Sequence, residues 1–349
     1  GEPLAVWKEL IDSYEIQAVY ANKDYEPYAI KRDRELGEWL QSRGVGFHLF
    51  KDQVIFEKGD IVKEDGKPYT VFTPYKRKWL GKFRGGASLK ETVEPGSGFM
   101  KCSFSFPSME ALGFSPSNLV VLPYDLSHLD DYARMRDFPG PDGTSHLSPH
   151  LRFGTVSIRR IIATLGPTHE IFLSELIWRE FFMQILFHFP RVVDQNFKSK
   201  YNGVDWLNQE KDFQRWCEGR TGYPLVDAGM RQLKATGYMH NRVRMVTAGF
   251  LCKHLLIDWR WGEAYFAGKL LDYELSSNNG NWQWAAGTGC DAAPYFRIFN
   301  PEEQLKKFDP QLEYVRRWIP EYDSHAYPNP MIDHKFARER ALKTYREGI

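Results

Sequence analysis

The stretch HEIFLSELIWREFFMQILFHFP, residues 169–190, decides the fold class of the second part of this chain. It is strongly apolar and has no helix breaker before Pro190, which predicts one long helix that ends there. Two further helices are predicted at residues 223–239 and 240–259, where a glycine and a His-Asn pair separate them. No strand signal of comparable strength occurs in this part, so residues 128–349 are predicted to be an all-helical domain.

The N-terminal part alternates helical and extended patterns. PLAVWKELIDSY and YAIKRDRELGEWLQSRG predict helices, while IQAVYAN and VGFHLF predict strands. This order predicts an α/β domain with a parallel sheet over residues 1–103. The chain opens inside a helix without the strand that should precede it, so we expect a truncated and weakened domain. The proline-containing, aperiodic residues 104–127 predict an interdomain linker.

Composition limits the protein class. The 349 residues suffice for two domains, and 42% hydrophobic with 26% charged residues is typical of a globular protein. No apolar run approaches the roughly 18 residues of a membrane span, and no signal peptide opens the chain, so a cytoplasmic protein without membrane contact is expected. The cysteines are scattered without a CxxC pair, which predicts small buried residues and no metal site: Cys102, Cys217, Cys252 and Cys290.

Two helical residue pairs are candidates for ligand binding. Glu175 and Trp178 share a face in an apolar stretch, so the carboxylate is either neutralised by an internal ion pair or hydrogen-bonds a ligand. Asn241 and Met245 share another face, and an amide offers the donor and acceptor that a nucleobase edge requires. A helix-start role is the alternative for Asn241. Residues 231–257 hold five basic and no acidic side chains, which suits phosphates or a solvated face.

The segment GPDGTSHLSPHLRFG, residues 140–154, is a candidate phosphate loop. Its hydroxyls and backbone amides precede a predicted helix and could hold an anion, although an ordinary helix cap would use the same residue types. The chain contains neither GxGxxG nor GxxxxGK[ST]. A dinucleotide would therefore not be bound in the Rossmann or P-loop manner.

The segment NNGNWQW, residues 278–284, joins amides to two tryptophans. Asn and Gly favour turns, so we expect a loop that leads into a helix starting near the tryptophans. On a helix, residues two apart point about 200° apart, so Trp282 and Trp284 should face different surroundings. Trp206, Trp259 and Trp282 lie on three predicted elements, where they either relay electrons or fill a core.

Six ordered segments carry a resemblance to the photolyase and cryptochrome family over essentially the whole chain. They are YEPYAIKRD, RDFPGPDGTSHLSPHLRFG, ELIWREFF, GRTGYPLVDAGMRQLKATGYMHNRVRM, LIDWRWG and DYELSSNNGNWQWAAGTGCDAAPYFRIFNP. The resemblance implies an α/β domain linked to an all-helical domain that binds FAD in a folded form. It also implies an enzyme that repairs UV-damaged DNA in light, or a blue-light receptor that uses the same flavin.

The implied dimer pocket favours the class I cyclobutane pyrimidine dimer photolyases. Its residues would be Glu175, Trp178, Asn241, Met245 and Trp284. The chain has neither the tyrosine that DASH-type cryptochromes usually carry at the position of Trp284 nor the histidines usual in the (6-4) photolyase pocket. The implied reaction is electron transfer from photoexcited reduced FAD to the dimer, after which the electron returns. Arginines near the DNA backbone or flavin would be Arg136, Arg242 and Arg297.

The resemblance also implies the flavin contacts and the relay. The flavin contacts would be Tyr132, Thr144, Ser145, Leu147, Ser148, Arg244, Asp272, Glu274 and Asn278. The relay that reduces the flavin in light would be Trp282, Trp259 and Trp206. His146 replaces an arginine that is common in the phosphate loop. Tyr28, Ala29 and Asp194 differ from the expected folate contacts, which argues against a folate antenna and leaves the second chromophore open.

Two other functions stay open at this point. A cryptochrome-like receptor would signal through partners without repair. A noncatalytic helical DNA-binding or scaffold protein would result if truncation prevented flavin binding. A monomer acting on damaged DNA is the expected form of the enzyme.

Overall fold

The elements follow the order that the sequence predicts. The protein's computed structural model describes residues 1–84 and 105–349, so Cys102 and Phe104, the first linker residue, lie outside it. The strands are β1 (Ala18–Asn22) and β2 (Gly46–Phe50). The α-helices are α1 (Pro3–Ser13), α2 (Pro27–Ser42), α3 (Phe72–Arg84), α4 (Leu129–Met135), α5 (Ser148–Arg152), α6 (Ile158–Ala163), α7 (Glu170–His188), α8 (Glu210–Cys217), α9 (Pro224–Thr236), α10 (Asn241–Gly249), α11 (Trp259–Ala267), α12 (Leu275–Ala286), α13 (Pro301–Phe308), α14 (Glu313–Trp318) and α15 (His334–Glu347).

The N-terminal residues form a small α/β layer. Strands β1 and β2 pair in parallel with Val19 opposite Phe47, and helix α2 makes the crossover between them. Leu36 and Leu40 of α2 pack with Val19 into a separate small core. The predicted helix and strand order and the parallel pairing are confirmed.

Residues 128–349 contain helices and no strand, as predicted. Helix α7 is the predicted long helix, and it ends at His188, two residues before Pro190. It packs against α3, α4 and α12. None of the helices within residues 1–84 and 105–349 has both the length and the apolarity that crossing a membrane requires.

A buried carboxylate joins the N-terminal segment to α7. Glu180 Oε2 accepts a hydrogen bond from the Ile55 amide at 2.7 Å. Its Oε1 accepts hydrogen bonds from Trp79 Nε1 at 2.8 Å and from the Tyr75 hydroxyl and the Phe56 amide, each at 3.3 Å. Burial raises the pKa of Glu180 to about 7 although all four donors favour its ionised form. The carboxylate therefore fixes both α3 and the preceding loop against α7.

Two arginines attach the same loop. Arg159 donates to the Asp52 carbonyl at 2.6 Å and to the Val54 carbonyl at 3.0 Å. Arg179 donates to the Gln53 carbonyl at 2.9 Å. Carbonyls that have no partner in a sheet are satisfied in this way by the helical part.

The secondary structure and the core packing can be compared with the predicted limits of the two domains and the linker. Residues 105–127 contain no helix or strand, which agrees with a linker. The buried apolar side chains between Ile55 and Trp79 pack in one hydrophobic core with α6 and α7. None of them belongs to the separate small core in which α2 packs against β1. The limits 1–103, 104–127 and 128–349 stay a prediction.

The prediction of a loop at NNGNWQW was wrong, because the whole segment lies inside α12. Tertiary hydrogen bonds outweigh the low helix propensity of the amides. Asn278 donates to Glu263 Oε1 at 2.9 Å, and Asn279 donates to the Val192 carbonyl at 2.8 Å. A Cβ at Gly280 would collide with the Phe182 ring, so the glycine permits α12 to approach α7 closely.

We expect Glu180→Gln to lower the free energy of unfolding by about 2 kcal/mol near neutral pH, because the amide would direct its own N–H groups at N–H donors. The wild-type chain should also lose stability as the pH rises from about 5 to 7. In that window the folded state still holds a proton, since burial raises the Glu180 pKa from 4.5 to about 7, whereas the unfolded state has released it. Urea unfolding at a series of pH values measures both effects.

Glu170→Gln is the matched control on the same helix. Glu170 is exposed and contacts Lys76 of α3 at 3.2 Å, so its loss should change the free energy of unfolding by less than about 0.5 kcal/mol. Equal stability losses in the two variants would contradict the role of Glu180. So would a wild-type chain whose stability relative to Glu180→Gln does not fall between these pH values.

Candidate functional site

The predicted dimer-pocket residues lie on helices that contact one another. Glu175 and Trp178 are on α7, Asn241 and Met245 are on α10, and Trp284 is on α12. Helix α12 packs against both α7 and α10. Asn241 is exposed and the other four are half-buried, so all five side chains are partly accessible to a ligand.

Glu175 forms an ion pair. Its Oε1 accepts a hydrogen bond from Arg136 Nη1 at 2.7 Å, and the Arg136 guanidinium also lies 5.5 Å from the centre of the Tyr132 ring. Arg179, one turn along the helix, instead contacts Glu274. Glu175 therefore forms an internal ion pair and remains able to bind a ligand, because a half-buried, ion-paired carboxylate can still accept a further hydrogen bond.

Trp178 has an aromatic environment that the sequence did not predict. Phe72, the first residue of α3, stacks on its indole with ring centres 3.6 Å apart and planes 9° apart. Phe181 packs edge-on at 5.6 Å, and Phe182 lies at 5.4 Å. One face of the indole is therefore covered by the protein itself.

Three predicted flavin contacts form one polar cluster. Asp272 accepts hydrogen bonds from Arg244 Nη2 at 2.9 and 3.2 Å and from the Ser148 hydroxyl at 2.7 Å. Arg244 Nε also donates to the Met239 carbonyl at 2.7 Å. The guanidinium is thus fixed in place by a carboxylate and a carbonyl, and Asp272 balances its positive charge.

Glu274 lies buried next to this cluster in sequence. Its Oε2 accepts hydrogen bonds from the hydroxyls of Ser276 and Ser277 at 3.2 and 2.7 Å. Its Oε1 lies 2.9 Å from Arg179 Nη2, but no donor among the described residues has hydrogen-bond geometry to this buried oxygen. At this distance the guanidinium compensates the carboxylate charge, so Arg179 and Glu274 form a buried ion pair.

The phosphate loop has an unusual backbone at His146. Its φ of 48° lies in the left-handed region, which a non-glycine residue seldom adopts. Its Nε2 lies 2.9 Å from Asp142 Oδ1. Thr144 and Ser145 beside it are half-buried, and Leu147 is buried. The hydroxyls of Thr144 and Ser145 are therefore partly accessible, which suits contact with phosphate or ribityl oxygens.

Two more predicted flavin contacts have defined partners. Burial raises the pKa of Tyr132 to about 12, with a further contribution from Glu175, so its hydroxyl stays a donor. Asn278 is bonded to Glu263, whose pKa is raised by burial despite that hydrogen bond. Both residues supply polar groups of the kind that a flavin dinucleotide binds, and their contact with the cofactor stays a prediction.

The three predicted relay tryptophans belong to one hydrophobic core. Trp259 and Trp282 are buried, at 1% and 2% exposure, and the half-buried Trp206 packs against the same core. Sequence reasoning missed two neighbours. Trp216 lies 6.1 Å from Trp282, and Tyr345 lies 5.7 Å from Trp206. The arrangement accommodates a relay and also core packing, so the relay stays a prediction.

The predicted split between Trp282 and Trp284 agrees with their burial. Trp282 packs edge-on against Phe266 at 4.9 Å in the core, whereas Trp284 is half-buried. Gly262 makes room for the Trp282 indole, since a Cβ there would collide with it. The two indoles leave α12 toward different surroundings.

The three arginines predicted near DNA or the flavin differ in accessibility. Arg136 pairs with Glu175, and Arg242 Nη2 donates to Asp137 at 2.7 Å. Arg297 is exposed. Ion pairing reduces the free charge of the first two, and their contact with DNA stays a prediction.

Comparison with known proteins identifies the family. The model described as the FAD binding domain of DNA photolyase matches residues 172–326, and the model described as DNA photolyase matches residues 1–95. A deoxyribodipyrimidine photo-lyase of Vibrio cholerae is 39% identical over 374 residues, covering 94% of this chain and 79% of the relative.

Solved structures agree with this result. A bacterial class III photolyase from Agrobacterium tumefaciens aligns with a TM-score of 0.87 and 34% identity, covering 100% of this chain and 83% of its own. An archaeal photolyase from Sulfolobus tokodaii, solved with two FAD molecules, aligns with a TM-score of 0.82 and 33% identity over 99% of this chain and 82% of its own. The chain therefore belongs to the DNA photolyase family, and residues 172–326 match the FAD-binding domain of that family.

Proposed function

We propose that this protein is a deoxyribodipyrimidine photo-lyase that splits cyclobutane pyrimidine dimers in UV-damaged DNA. The observation that carries the proposal is the position of α12. This helix follows the polar cluster at Asp272, holds Trp282 in the core and leaves Trp284 accessible beside α7 and α10. In this proposal the flavin binds near the cluster at Asp272, and the dimer binds beside Trp284.

The chain's own residues would hold FAD on one side of α12. Reduced FAD, when bound, supplies the electron that opens the dimer after it absorbs light. Arg244 and Asp272, paired at 2.9 Å, would offer fixed donors and acceptors near the isoalloxazine edge, and the hydroxyls of residues 144–148 would face the phosphates and the ribityl chain. Glu274 would lie near the same edge, held in place by Arg179 at 2.9 Å. Such fixed groups bind the cofactor without rearranging.

The dimer would be held on the other side. Trp284 and the open part of Trp178 would contact the flipped bases, and each aromatic contact contributes about 1–3 kcal/mol. Asn241 and Glu175 would hydrogen-bond the pyrimidine edges, and Arg136, 2.7 Å from Glu175, would keep that carboxylate in place. Met245 would add apolar contact that excludes water.

The finer assignments belong to the same proposal. They are the class I subtype, the relay through Trp206, Trp259 and Trp282, and DNA contact by Arg297. A monomeric enzyme in the compartment that holds the DNA, expected to be the cytoplasm, completes the proposal. The second chromophore stays open, with a folate antenna disfavoured by Tyr28, Ala29 and Asp194.

We expect Asp272→Ala to weaken FAD binding by on the order of tenfold or more, because it leaves the Arg244 guanidinium without its carboxylate and frees Ser148. Flavin absorbance per chain after dialysis measures the retained cofactor. Asp323→Ala removes the exposed Arg316–Asp323 pair and serves as the matched control. Equal flavin content in both variants would show that Asp272 does not organise the site.

The activity itself is tested by illuminating the reduced protein with a thymine-dimer oligonucleotide. We expect the ultraviolet absorbance of thymine to recover in light and to stay constant in the dark, because ring opening restores the conjugated base. A chain that binds reduced flavin but restores no absorbance would reject the photolyase function. It would leave a cryptochrome-like light receptor as the remaining flavin-dependent function.

Exchanges of the two tryptophans on α12 should separate the two sides. Trp284→Ala should weaken binding to dimer DNA about 5- to 100-fold while flavin stays bound, since one stacking surface is lost. Trp282→Phe should slow photoreduction of oxidised flavin but spare repair by prereduced enzyme. Fluorescence anisotropy with dimer DNA and flavin bleaching in light measure these effects. The reverse pattern would overturn the assignment of the two indoles.

A further inference from the structure

Phe72, the first residue of α3, contacts the predicted dimer pocket from outside residues 128–349. Its ring stacks on Trp178 with centres 3.6 Å apart and planes 9° apart, and its side chain is buried to 7% exposure. Phe181, which is fully buried, packs edge-on against both rings at 5.8 and 5.6 Å. The Phe72–Trp178 stack therefore rests on a fully buried ring, and it cannot shift unless that part of the core moves as well.

A distant carboxylate holds Phe72 in this position. The backbone N–H of Phe72 donates to Asp291 Oδ2 at 2.9 Å, across 219 residues of sequence. Phe72 is the first residue of α3, so its N–H has no partner within the helix, and a carboxylate is favourable at this positive end. Asp291 lies five residues beyond the end of α12, which carries Trp284. The hydrogen bond thus connects the start of α3 to the segment after the second pocket tryptophan.

The Trp178 indole also packs closely against Phe182. Phe182 lies 5.4 Å from Trp178, and Gly280 of α12 lets the Phe182 ring approach the α12 backbone. Phe72 covers one face of the indole, and Phe182 lies near-parallel to it with planes 28° apart, so only the part of the half-buried indole that these rings leave uncovered is open to a base. The orientation of Trp178 is determined by neighbours that do not themselves belong to the predicted pocket.

We infer that Phe72 and Asp291 are positioning residues for lesion recognition, which orient the Trp178 indole toward an extruded pyrimidine dimer. The inference rests on the proposed function. Neither residue adds positive charge that would attract DNA phosphates, since Phe72 is apolar and Asp291 is negative. Binding to undamaged DNA depends mainly on phosphate contacts and would not use them. Their effect should be confined to damaged DNA.

The test compares the dissociation constants for dimer-containing and undamaged DNA. We expect Phe72→Leu, which keeps apolar bulk but removes the stack, to weaken dimer binding roughly three- to tenfold. Affinity for undamaged DNA, flavin content and the repair yield per bound dimer should stay at wild-type values. Phe72→Tyr keeps the aromatic ring and should restore dimer affinity.

Substitutions of Asp291 test the inference independently. Asp291→Ala frees the Phe72 N–H and should reproduce the loss of dimer affinity, whereas Asp291→Asn keeps an acceptor oxygen and should restore it. Because both residues act through Trp178, the loss in the double variant Phe72→Leu and Asp291→Ala should be less than the product of the single losses.

Phe83→Leu is the matched control, because Phe83 stacks on Trp79 of the same helix with ring centres 4.9 Å apart. It should lower the melting temperature as Phe72→Leu does, yet leave dimer affinity unchanged. Equal dimer affinity in wild type, Phe72→Leu and Asp291→Ala would overturn the inference, as would parallel losses on damaged and undamaged DNA. A wild-type protein that shows no preference for dimers would reject the proposed function instead.

Discussion

The hydrogen bonding of one buried carboxylate underlies the arrangement of the site. Glu180 of α7 accepts hydrogen bonds from two backbone amides of the N-terminal loop and from Tyr75 and Trp79 of α3. A buried acceptor that lost these donors would cost about 1–3 kcal/mol for each unsatisfied group, so α3 has one favourable position on α7. That position brings Phe72, at the start of α3, over Trp178.

The proposed function depends on the way in which α7 and α12 each direct some side chains into the core and leave others accessible. Helix α7 directs Glu180 inward while Glu175 and Trp178 remain half-buried, and α12 does the same with Trp282 and Trp284. The close approach of the two helices at Gly280 makes the position of one depend on the other. The polar side chains that we propose for the flavin and the aromatic side chains that we propose for the bases are thereby held on rigid elements.

Some features of the fold and the site were predictable because their causes are local. The long apolar run before Pro190 predicted α7, and alternation of helix and strand patterns predicted the parallel pair, both of which the structure confirms. The family assignment from ordered motifs is confirmed by the relatives. Propensity failed at Asn278, since its amide is bonded to Glu263 on another helix, a partner that no local pattern reveals.

The sequence by itself determined the fold class and the family, because periodicity and motif order are written along the chain, and it predicted which residues would bind a flavin and a dimer. Only the tertiary structure decided which side chains meet. Arg136 pairs with Glu175 across 39 residues, Ser148 with Asp272 across 124, and Phe72 with Asp291 across 219. Such contacts arise from the packing of whole helices, where burial and hydrogen bonding are optimised together, and sequence spacing carries no record of them.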